Sequence, residues 1–237
     1  MKIKADCACN ALDMNVAEGL GVDYVGVRLG KDTRLGDVLR PRCVGNMPDI
    51  VPDGVSSEEA EDAVDGMKLV GIFADDMMQD VLTAVYNFKL DVVQLNGNEG
   101  ATYVRNLLLT IVPDIRGRLS VIKDVVIESE ADFCKCVEYE GVVDMFVFHI
   151  SQNACGELSA DRCREILAAY QGSTPFLLAV EGIGSDVAVA AAQTVAACCG
   201  VDAATAFAAD GGGFDSNALH EFVSLCGRHG LHKESKV

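Results

Sequence analysis

Short apolar runs rich in β-branched residues alternate with helical patterns along the chain. Two of them, LVGIF at 69–73 and MFVF at 145–148, are almost continuously apolar, which is typical of strands buried on both faces of a parallel sheet. This pattern predicts eight strands, at Met1–Asp6, Tyr24–Leu29, Lys68–Phe73, Asp91–Leu95, Leu119–Lys123, Met145–His149, Phe176–Ala179 and Val201–Ala204.

Helical segments are predicted between the strands, several of them opening on a residue that caps helices well. Ser159 precedes ADRCREILAAY, and Asp186 precedes VAVAAAQTVAACC. Other predicted starts are Ser57, Asn98-Glu99 and Ser216, and Met77-Met78 is predicted to open a helix and lie in the core. Eight strand–helix pairs in 237 residues predict a single (β/α)8 TIM-barrel domain over 1–237. An open doubly wound sheet competes, but it usually has a glycine-rich turn after its first strand, where this chain has ADCACN.

Composition limits the possible partners. The net charge of −17 disfavours nucleic acid and anionic membrane surfaces. No apolar run reaches the roughly 18 residues of a membrane span, and the opening Met-Lys-Ile-Lys lacks the apolar segment of a signal peptide. We therefore expect a cytoplasmic protein with a small-molecule ligand, no nucleic acid or membrane partner, and a monomeric or homodimeric state.

The ten cysteines include Cys7/Cys9, Cys134/Cys136 and Cys198-Cys199. None of these pairs has the spacing of a structural zinc site, so we interpret most of them as small buried apolar residues in a reducing compartment. A metal held by Asp6, His149 and Asp202 is an alternative, but the other histidines (His220, His229 and His232) lie in or after the last helix. We expect no metal and no cofactor.

In a (β/α)8 barrel the site lies at the carboxyl ends of the strands. Polar residues stand at or after these ends, and they are Asp6, Arg34, Asn96, Lys123, His149, Glu181 and Asp202. An acid at the end of the buried first strand, in KIKAD, is the least expected of them.

Six stretches together resemble the phosphoribosylanthranilate isomerase family: LGVDYVGVRL with Arg34 following, KLVGIF, LDVVQLNGNE, YEGVVDMFVFHIS, TPFLLAVEGI, and GVDAATAF with GGFD after it. The resemblance implies a barrel enzyme of tryptophan biosynthesis that catalyses the Amadori rearrangement of a phosphorylated sugar amine. It also implies a cysteine base at the tip of strand one, an aspartic acid at the tip of strand six, and a phosphate held by backbone amides after strands seven and eight.

This chain departs from the family at those positions. The family's KICG aligns with Lys4-Ala5-Asp6-Cys7, which puts Asp6 at the position of the base. A shift by one residue would place Cys7 there instead, but it would break the match at Asn10 and the alternation of the strand. His149 stands at the position of the family's acid, and Asn96 stands at the position of the histidine in the family's QLHG.

The phosphate turn after strand seven has become Ala179-Val180-Glu181-Gly182. Like charges about 4 Å apart cost on the order of 4 kcal/mol at an effective dielectric constant of about 20, so an inward Glu181 would oppose phosphate. The alternative is that Glu181 points to solvent. Arg34, Gln94 and Asp202 match the family.

We therefore expect a phosphoribosylanthranilate isomerase-like barrel that is not an efficient isomerase. Asp6 and His149 are the expected catalytic pair, and the expected substrate-binding residues are Arg34, Gln94, Asn96, Glu181 and Asp202. Asp6 and His149 could instead form a structural ion pair, or Lys4, two residues before Asp6 on the same face, could neutralise Asp6. The alternative function is a catalytically silent paralogue that serves as a binding or regulatory protein.

Overall fold

Eight parallel strands close into a barrel in chain order, each paired with its two neighbours and β8 with β1. The computed structural model describes residues 1–6, 11–29, 66–114, 117–151, 158–204, 206–209 and 213–227. The strands are β1 Lys2–Ala5, β2 Tyr24–Arg28, β3 Lys68–Phe73, β4 Val92–Leu95, β5 Ser120–Ile127, β6 Met145–Ile150, β7 Phe176–Ala179 and β8 Cys198–Asp202. The predicted (β/α)8 barrel is confirmed.

Helices pack around the barrel. Within the described ranges they are α1 Ala11–Gly19, α2 Met78–Phe88, α3 Ala101–Asp114, α4 Ala160–Leu167, α5 Ser185–Ala192 and α6 Ser216–Leu225. Ser159 caps α4 as predicted, because its side chain accepts a hydrogen bond from the Arg162 amide at 3.2 Å. At α6 the cap is Asp215, one residue before the predicted Ser216. None of these helices is long and apolar enough to cross a membrane.

A 3₁₀ segment, Glu130–Tyr139, takes the place of a full helix between β5 and β6. It packs through Phe133, whose ring lies 5.2 Å from that of Phe148 and 5.7 Å from that of Tyr170. Phe148 in turn lies 4.5 Å from Phe176 on β7. This aromatic cluster fills the space outside β6 and β7, so a longer helix is not needed there.

Three aspartates fix the register at the amino ends of the strands. Asp23, Asp91 and Asp144 each stand immediately before an even-numbered strand. Each carboxylate accepts the backbone N–H of the preceding odd-numbered strand, from Ile3, Leu69 and Val121 at 2.7, 2.9 and 2.7 Å. We call these three contacts the aspartate clamps. They join β1 to β2, β3 to β4 and β5 to β6.

Apolar side chains fill two separate layers. A large cluster lies between the outer face of the strands and the helices. A smaller cluster fills the lower part of the barrel interior, with Tyr24, Val70, Ile72, Val92, Ile122, Met145, Val147, Leu177 and Ala179. Polar side chains begin above the second cluster, one step further along the strands.

Several predicted boundaries are wrong. The helix after Asp186 ends at Ala192, and Cys198-Cys199 belong to β8, because the strand begins three residues before the predicted Val201. Met77 is 67% exposed and lies outside the core, while Met78 packs against it. The start of α3 is Ala101, after the predicted Asn98-Glu99. The predicted helix after Ser57 lies outside the described residues.

Candidate active site

Six polar side chains from five strands cluster inside the barrel, near the carboxyl ends of the strands. They are Lys4 and Asp6 of β1 and its tip, Gln94 of β4, Asp124 of β5, His149 of β6 and Asp202 of β8. All except His149 are buried, and the side chain of His149 is 23% exposed. Four of the six, Asp6, Gln94, His149 and Asp202, are residues that the sequence predicts for the site.

Lys4 joins the two ends of the cluster that come from β1 and β8. Its Nζ lies 2.5 Å from Asp6 Oδ1 and 3.2 Å from each carboxylate oxygen of Asp202. Lys4 is fully buried, so its ammonium depends on these two acids for its hydrogen bonds. Alternation along β1 predicts the contact between Lys4 and Asp6, and the structure contains it.

The Asp6 carboxylate lies against the backbone of β2. A Cβ added at Gly26 would collide with the Asp6 carboxylate, so only glycine leaves room for it at this position. The amide of Asp6 donates to the Ala204 carbonyl at 3.2 Å, which ties the tip of β1 to the turn after β8. Asp6 is therefore held in place by three elements of the barrel.

His149 pairs with Asp124. Its Nε2 lies 3.2 Å from Asp124 Oδ2. The Gln94 amide donates to both oxygens of the same carboxylate, at 2.8 and 3.0 Å. Within the described part of the chain Asp6 and His149 do not bond to one another, so the structural ion pair between them that the sequence left open is not formed.

The cluster contains more acids than bases. Among the residues that the structure describes, Lys4 is the one lysine beside Asp6, Asp124 and Asp202. Burial raises the pKa of Asp6 to about 6, because Lys4, which lowers it, is shared with Asp202, and because Asp202 and Asp124 add negative charge. Lys4 itself has a raised pKa, because its carboxylate neighbours outweigh the effect of burial.

The imidazole of His149 also holds its proton more tightly than usual. Burial alone would lower the pKa of His149, but the hydrogen bond and the charge of Asp124 outweigh it and raise the pKa above 6.5. A group of this kind exchanges protons near neutral pH. The cluster therefore contains two groups, Asp6 and His149, that can take part in proton transfer.

The remaining predicted residues lie apart from the cluster. Asn96 is exposed, and its backbone N–H donates to the Phe73 carbonyl at 2.8 Å. Glu181 is exposed in the turn after β7, so the alternative orientation, toward solvent, is the one in the structure. Arg34 and Cys7 lie outside the described residues.

The LNGNE stretch after β4 has a structural role. Glu99 is buried and accepts the amides of Asp75 and Gly97, at 2.7 and 3.1 Å. Lys123 of β5 donates to the Gly97 carbonyl at 2.6 Å and lies 3.4 Å from Glu99. A side chain at Gly97 would collide with Asp75. We call this group the Glu99 junction, and it locks together the ends of β3, β4 and β5.

Asp124 is the site residue that the sequence did not predict. The predicted fifth strand ends at Lys123, whereas β5 continues to Ile127 and directs Asp124 into the barrel with Ile122. The alternation of Ile122 and Asp124 carries this signal. An acid seldom occurs inside a strand, however, and the predicted strand therefore ends one residue before Asp124.

Metal binding has no support in the described residues, where no group of three or more His, Cys, Asp or Glu side chains could hold a metal ion. Of the cysteines described there, Cys136, Cys163 and Cys226 are buried, Cys198 and Cys199 are partly buried, and Cys134 is exposed. The pair Cys7/Cys9 lies outside those residues.

A closed parallel barrel with acid–base groups at the carboxyl ends of its strands belongs to the (β/α)8 class. Residues 46–224, about three quarters of the chain, match the family model for N-(5'-phosphoribosyl)anthranilate isomerase. The protein belongs to this family.

Curated proteins that resemble this chain carry the name of the same family. The chain is 36% identical over 111 residues to N-(5'-phosphoribosyl)anthranilate isomerase of Parabacteroides distasonis, an alignment that covers 47% of each protein. It is 33% identical over 109 residues to that of Phocaeicola vulgatus, covering 46% of this chain and 50% of the relative. The chain thus spans about half the length of these two curated relatives.

Solved structures agree on the fold. Phosphoribosyl anthranilate isomerase from Thermotoga maritima superposes with a TM-score of 0.66 at 17% identity, covering 96% of this chain and 98% of that one. A family member solved in complex with reduced 1-(o-carboxyphenylamino)-1-deoxyribulose 5-phosphate has a TM-score of 0.64, also at 17% identity, with the same coverage of both chains.

Proposed function

We propose that this protein is an isomerase-like barrel linked by family to tryptophan biosynthesis, with Asp6 as base and His149 as acid, and that it is not an efficient phosphoribosylanthranilate isomerase. The observation that carries the proposal is the contact of 2.5 Å between the Asp6 carboxylate and the Lys4 ammonium. Asp6, which aligns with the family's base, thus forms an ion pair with the buried Lys4 of the same barrel.

An Amadori-type isomerisation needs two proton transfers. An acid protonates the ring oxygen, the C1–O bond breaks, and the nitrogen lone pair forms a Schiff base. A base then removes the C2 proton. The C–H electrons form the C1=C2 bond and the C=N pair returns to nitrogen, which gives an enol-enamine that tautomerises to the ketone. Both steps need groups whose pKa values lie near the working pH.

His149 fits the acid role better than Asp6 fits the base role. His149 is partly exposed, and the hydrogen bond and charge of Asp124 raise its pKa, which favours the protonated form that an acid needs. Asp6 Oδ1 contacts the Lys4 ammonium, which makes the Asp6 carboxylate a weaker acceptor for a proton from carbon. A carboxylate with a pKa near 6 is also a weaker base than a thiolate, whose ordinary pKa is about 8.5. Slow turnover follows from this difference.

Ligand contacts are assigned by resemblance and position. Arg34, Asn96 and Glu181 are proposed to contact the ligand from the loops, Asn96 and Glu181 being exposed after β4 and β7. Gln94 and Asp202 are buried and bonded within the cluster, so their part in binding is to hold Asp124 and Lys4. The acid surplus of the cluster favours a ligand that carries hydrogen-bond donors and no phosphate.

The second candidate is a catalytically silent paralogue that binds a ligand or a partner. It is favoured by the fully buried Lys4, which contacts both Asp6 and Asp202 and so ties these two acids into the barrel's own interior. In this case the cluster stabilises the barrel, and ligand recognition lies in the loops above it.

Turnover of phosphoribosylanthranilate by the purified protein, followed by loss of substrate fluorescence, tests the proposal. We expect slow turnover that Asp6→Asn and His149→Asn both abolish. We also expect a gain of about 100-fold in the double variant Asp6→Cys/His149→Asp, which restores the residue types of the family. Glu221→Gln, an exposed acid on α6, is the control for a change of charge.

Three results discriminate the alternatives. A wild-type kcat/KM above about 10⁴ M⁻¹ s⁻¹ would contradict the proposed inefficiency. Turnover that survives both asparagine substitutions would contradict the assigned acid and base. No turnover in the wild-type protein, with a gain in the double variant, would support the silent paralogue, and screening would then begin with unphosphorylated amines and polyols.

A further inference from the structure

Asp124 and Gln94 form a support for His149 that spans three neighbouring strands. The Asp124 carboxylate is 3% exposed and accepts two hydrogen bonds from the Gln94 amide and one from His149. The position of Asp124 is not among those that the resemblance assigns to the reaction. This arrangement is therefore a feature of this chain's own residues.

Hydrogen-bond chemistry fixes the orientation of these three groups. The two oxygens of Asp124 face the Nε2 of Gln94, so the Gln94 amide must be turned with its NH2 toward the acid. An ionised carboxylate only accepts, hence the Nε2 of His149 must carry a proton. The neutral imidazole then has its free lone pair on Nδ1.

We propose that Asp124 is a positioning residue that holds the Nε2–H of His149 and leaves Nδ1 as the nitrogen that exchanges a proton with the ligand. The inference rests on the proposed function for the identity of the ligand, but not for the tautomer. During turnover the imidazolium gives its Nδ1 proton to the ring oxygen and keeps Nε2–H on Asp124. When the product leaves, Nδ1 takes a proton from water and Asp6 gives up the C2 proton to water, which restores both groups.

The side-chain amide of Gln94 holds the Asp124 carboxylate in one orientation. Its Oε1 is buried and has no hydrogen-bond partner among the described residues. Rotation of the amide would give Oε1 a new neighbour only by directing it at the Asp124 carboxylate, which repels it. The amide is therefore locked in one orientation, and it fixes Asp124 and through Asp124 the ring of His149.

The two carboxylates around His149 outweigh the one lysine and raise the pKa of the ring. Asp124 on β5 and Asp202 on β8 favour the protonated ring, while Lys4 on β1 opposes it. Asp6, at the tip of β1, is held by Lys4. Removal of the Asp124 charge should therefore shift the titration of His149 more than removal of any exposed acid.

Nitrogen-15 NMR of the imidazole groups in the full chain tests the inference. The chain has four histidines, and the His149→Asn spectrum assigns the resonance of His149 by its loss. We expect a wild-type midpoint above 6.5 and the Nε2–H tautomer above that midpoint. In Asp124→Asn we expect the midpoint to fall by about one pH unit and the tautomer preference to weaken. Glu221→Gln is the matched control and should leave both unchanged.

The outcomes separate this inference from the proposed function, since the measurement needs no turnover. An Nδ1–H tautomer in the wild-type protein would overturn the inference, and this readout stands even if Asp124→Asn does not fold. An unchanged midpoint in a folded Asp124→Asn would overturn it too. If turnover is measurable, the alkaline limb of its pH profile, which reports the general acid His149, should shift in Asp124→Asn together with the NMR midpoint.

Discussion

The ammonium of Lys4 lies between two carboxylates, and this sharing decides the chemistry of Asp6. A buried acid with a lysine of its own ordinarily has a lowered pKa. Here Lys4 lies 2.5 Å from Asp6 and also contacts Asp202. Because the cation is divided between two acids, burial prevails and the pKa of Asp6 rises to about 6.

Asp6 should therefore make stability depend on pH in an unusual direction. Its folded-state pKa lies above its unfolded value of 3.8, so its contribution is present in full below pH 4 and is lost as pH rises through 6. We expect Asp6→Asn to gain stability relative to wild type by about 3 kcal/mol between pH 3.5 and pH 7. Urea unfolding at intervals of one pH unit measures this difference.

A loss of stability in Asp6→Asn relative to wild type as pH rises would contradict this expectation. If the advantage of wild type over Asp6→Asn grew with pH, the ion pair with Lys4 would outweigh burial and the pKa of Asp6 would be lowered. His149 titrates in both proteins and largely cancels in the comparison. Its own contribution is present below pH 6.5 and is lost as pH rises through its raised folded-state pKa.

Four of the polar side chains in the cluster follow from the sequence, because polar residues at strand ends are rare enough to be noticed. Asp6, His149 and Asp202 stand at such ends, and Gln94 follows from the family match. The sequence does not predict which of these side chains contact one another. Alternation allows Lys4 to reach Asp6, but the sharing with Asp202 depends on the closure of β8 against β1, which brings together residues 198 positions apart.

At the scale of the elements, the strands were easier to predict than the helices. Strands buried on both faces are nearly continuous apolar runs, and their positions were found to within a few residues. The alanine-rich stretch after Asp186 is predicted to be helical as far as Cys199, whereas the helix ends at Ala192. Small apolar residues and cysteine fit a helix and a strand equally well. Pairing with Phe176 and Leu177 of β7 places Cys198–Gly200 in the sheet.

The aspartate clamps offer a test at this scale. Asp144 accepts the Val121 amide at 2.7 Å, and without it this amide has no side-chain acceptor in the clamp. We expect Asp144→Ala to lower the free energy of unfolding by about 1–2 kcal/mol and Asp144→Asn, which keeps an oxygen acceptor, to lower it by less. Denaturant unfolding beside Glu221→Ala, an exposed acid, measures the effect. Equal losses for alanine and asparagine would mean that the charge, and not the hydrogen bond, is what matters.

At the scale of the whole molecule, the negative charge is large. There are 36 acidic and 19 basic residues, so the folded chain repels itself more than the extended chain does. We expect the Tm to rise by several degrees between 10 mM and 500 mM sodium chloride, as the Debye length falls from about 30 Å to about 4 Å. Thermal unfolding followed by circular dichroism gives the measurement. A Tm that does not change would mean that the surface acids are already compensated locally.

The Glu99 junction bears on how activity is inferred across this family. The stretch VVQLNGNE is the part of the chain that most closely resembles the isomerases, yet Gly97, Glu99 and Lys123 hold three strand ends together and bond to one another. A chain can thus keep a stretch that resembles the family through the demands of architecture, whatever residues serve as acid and base at other strand tips. Assignment of a reaction within this family should therefore depend on the residues at the tips of strands one and six.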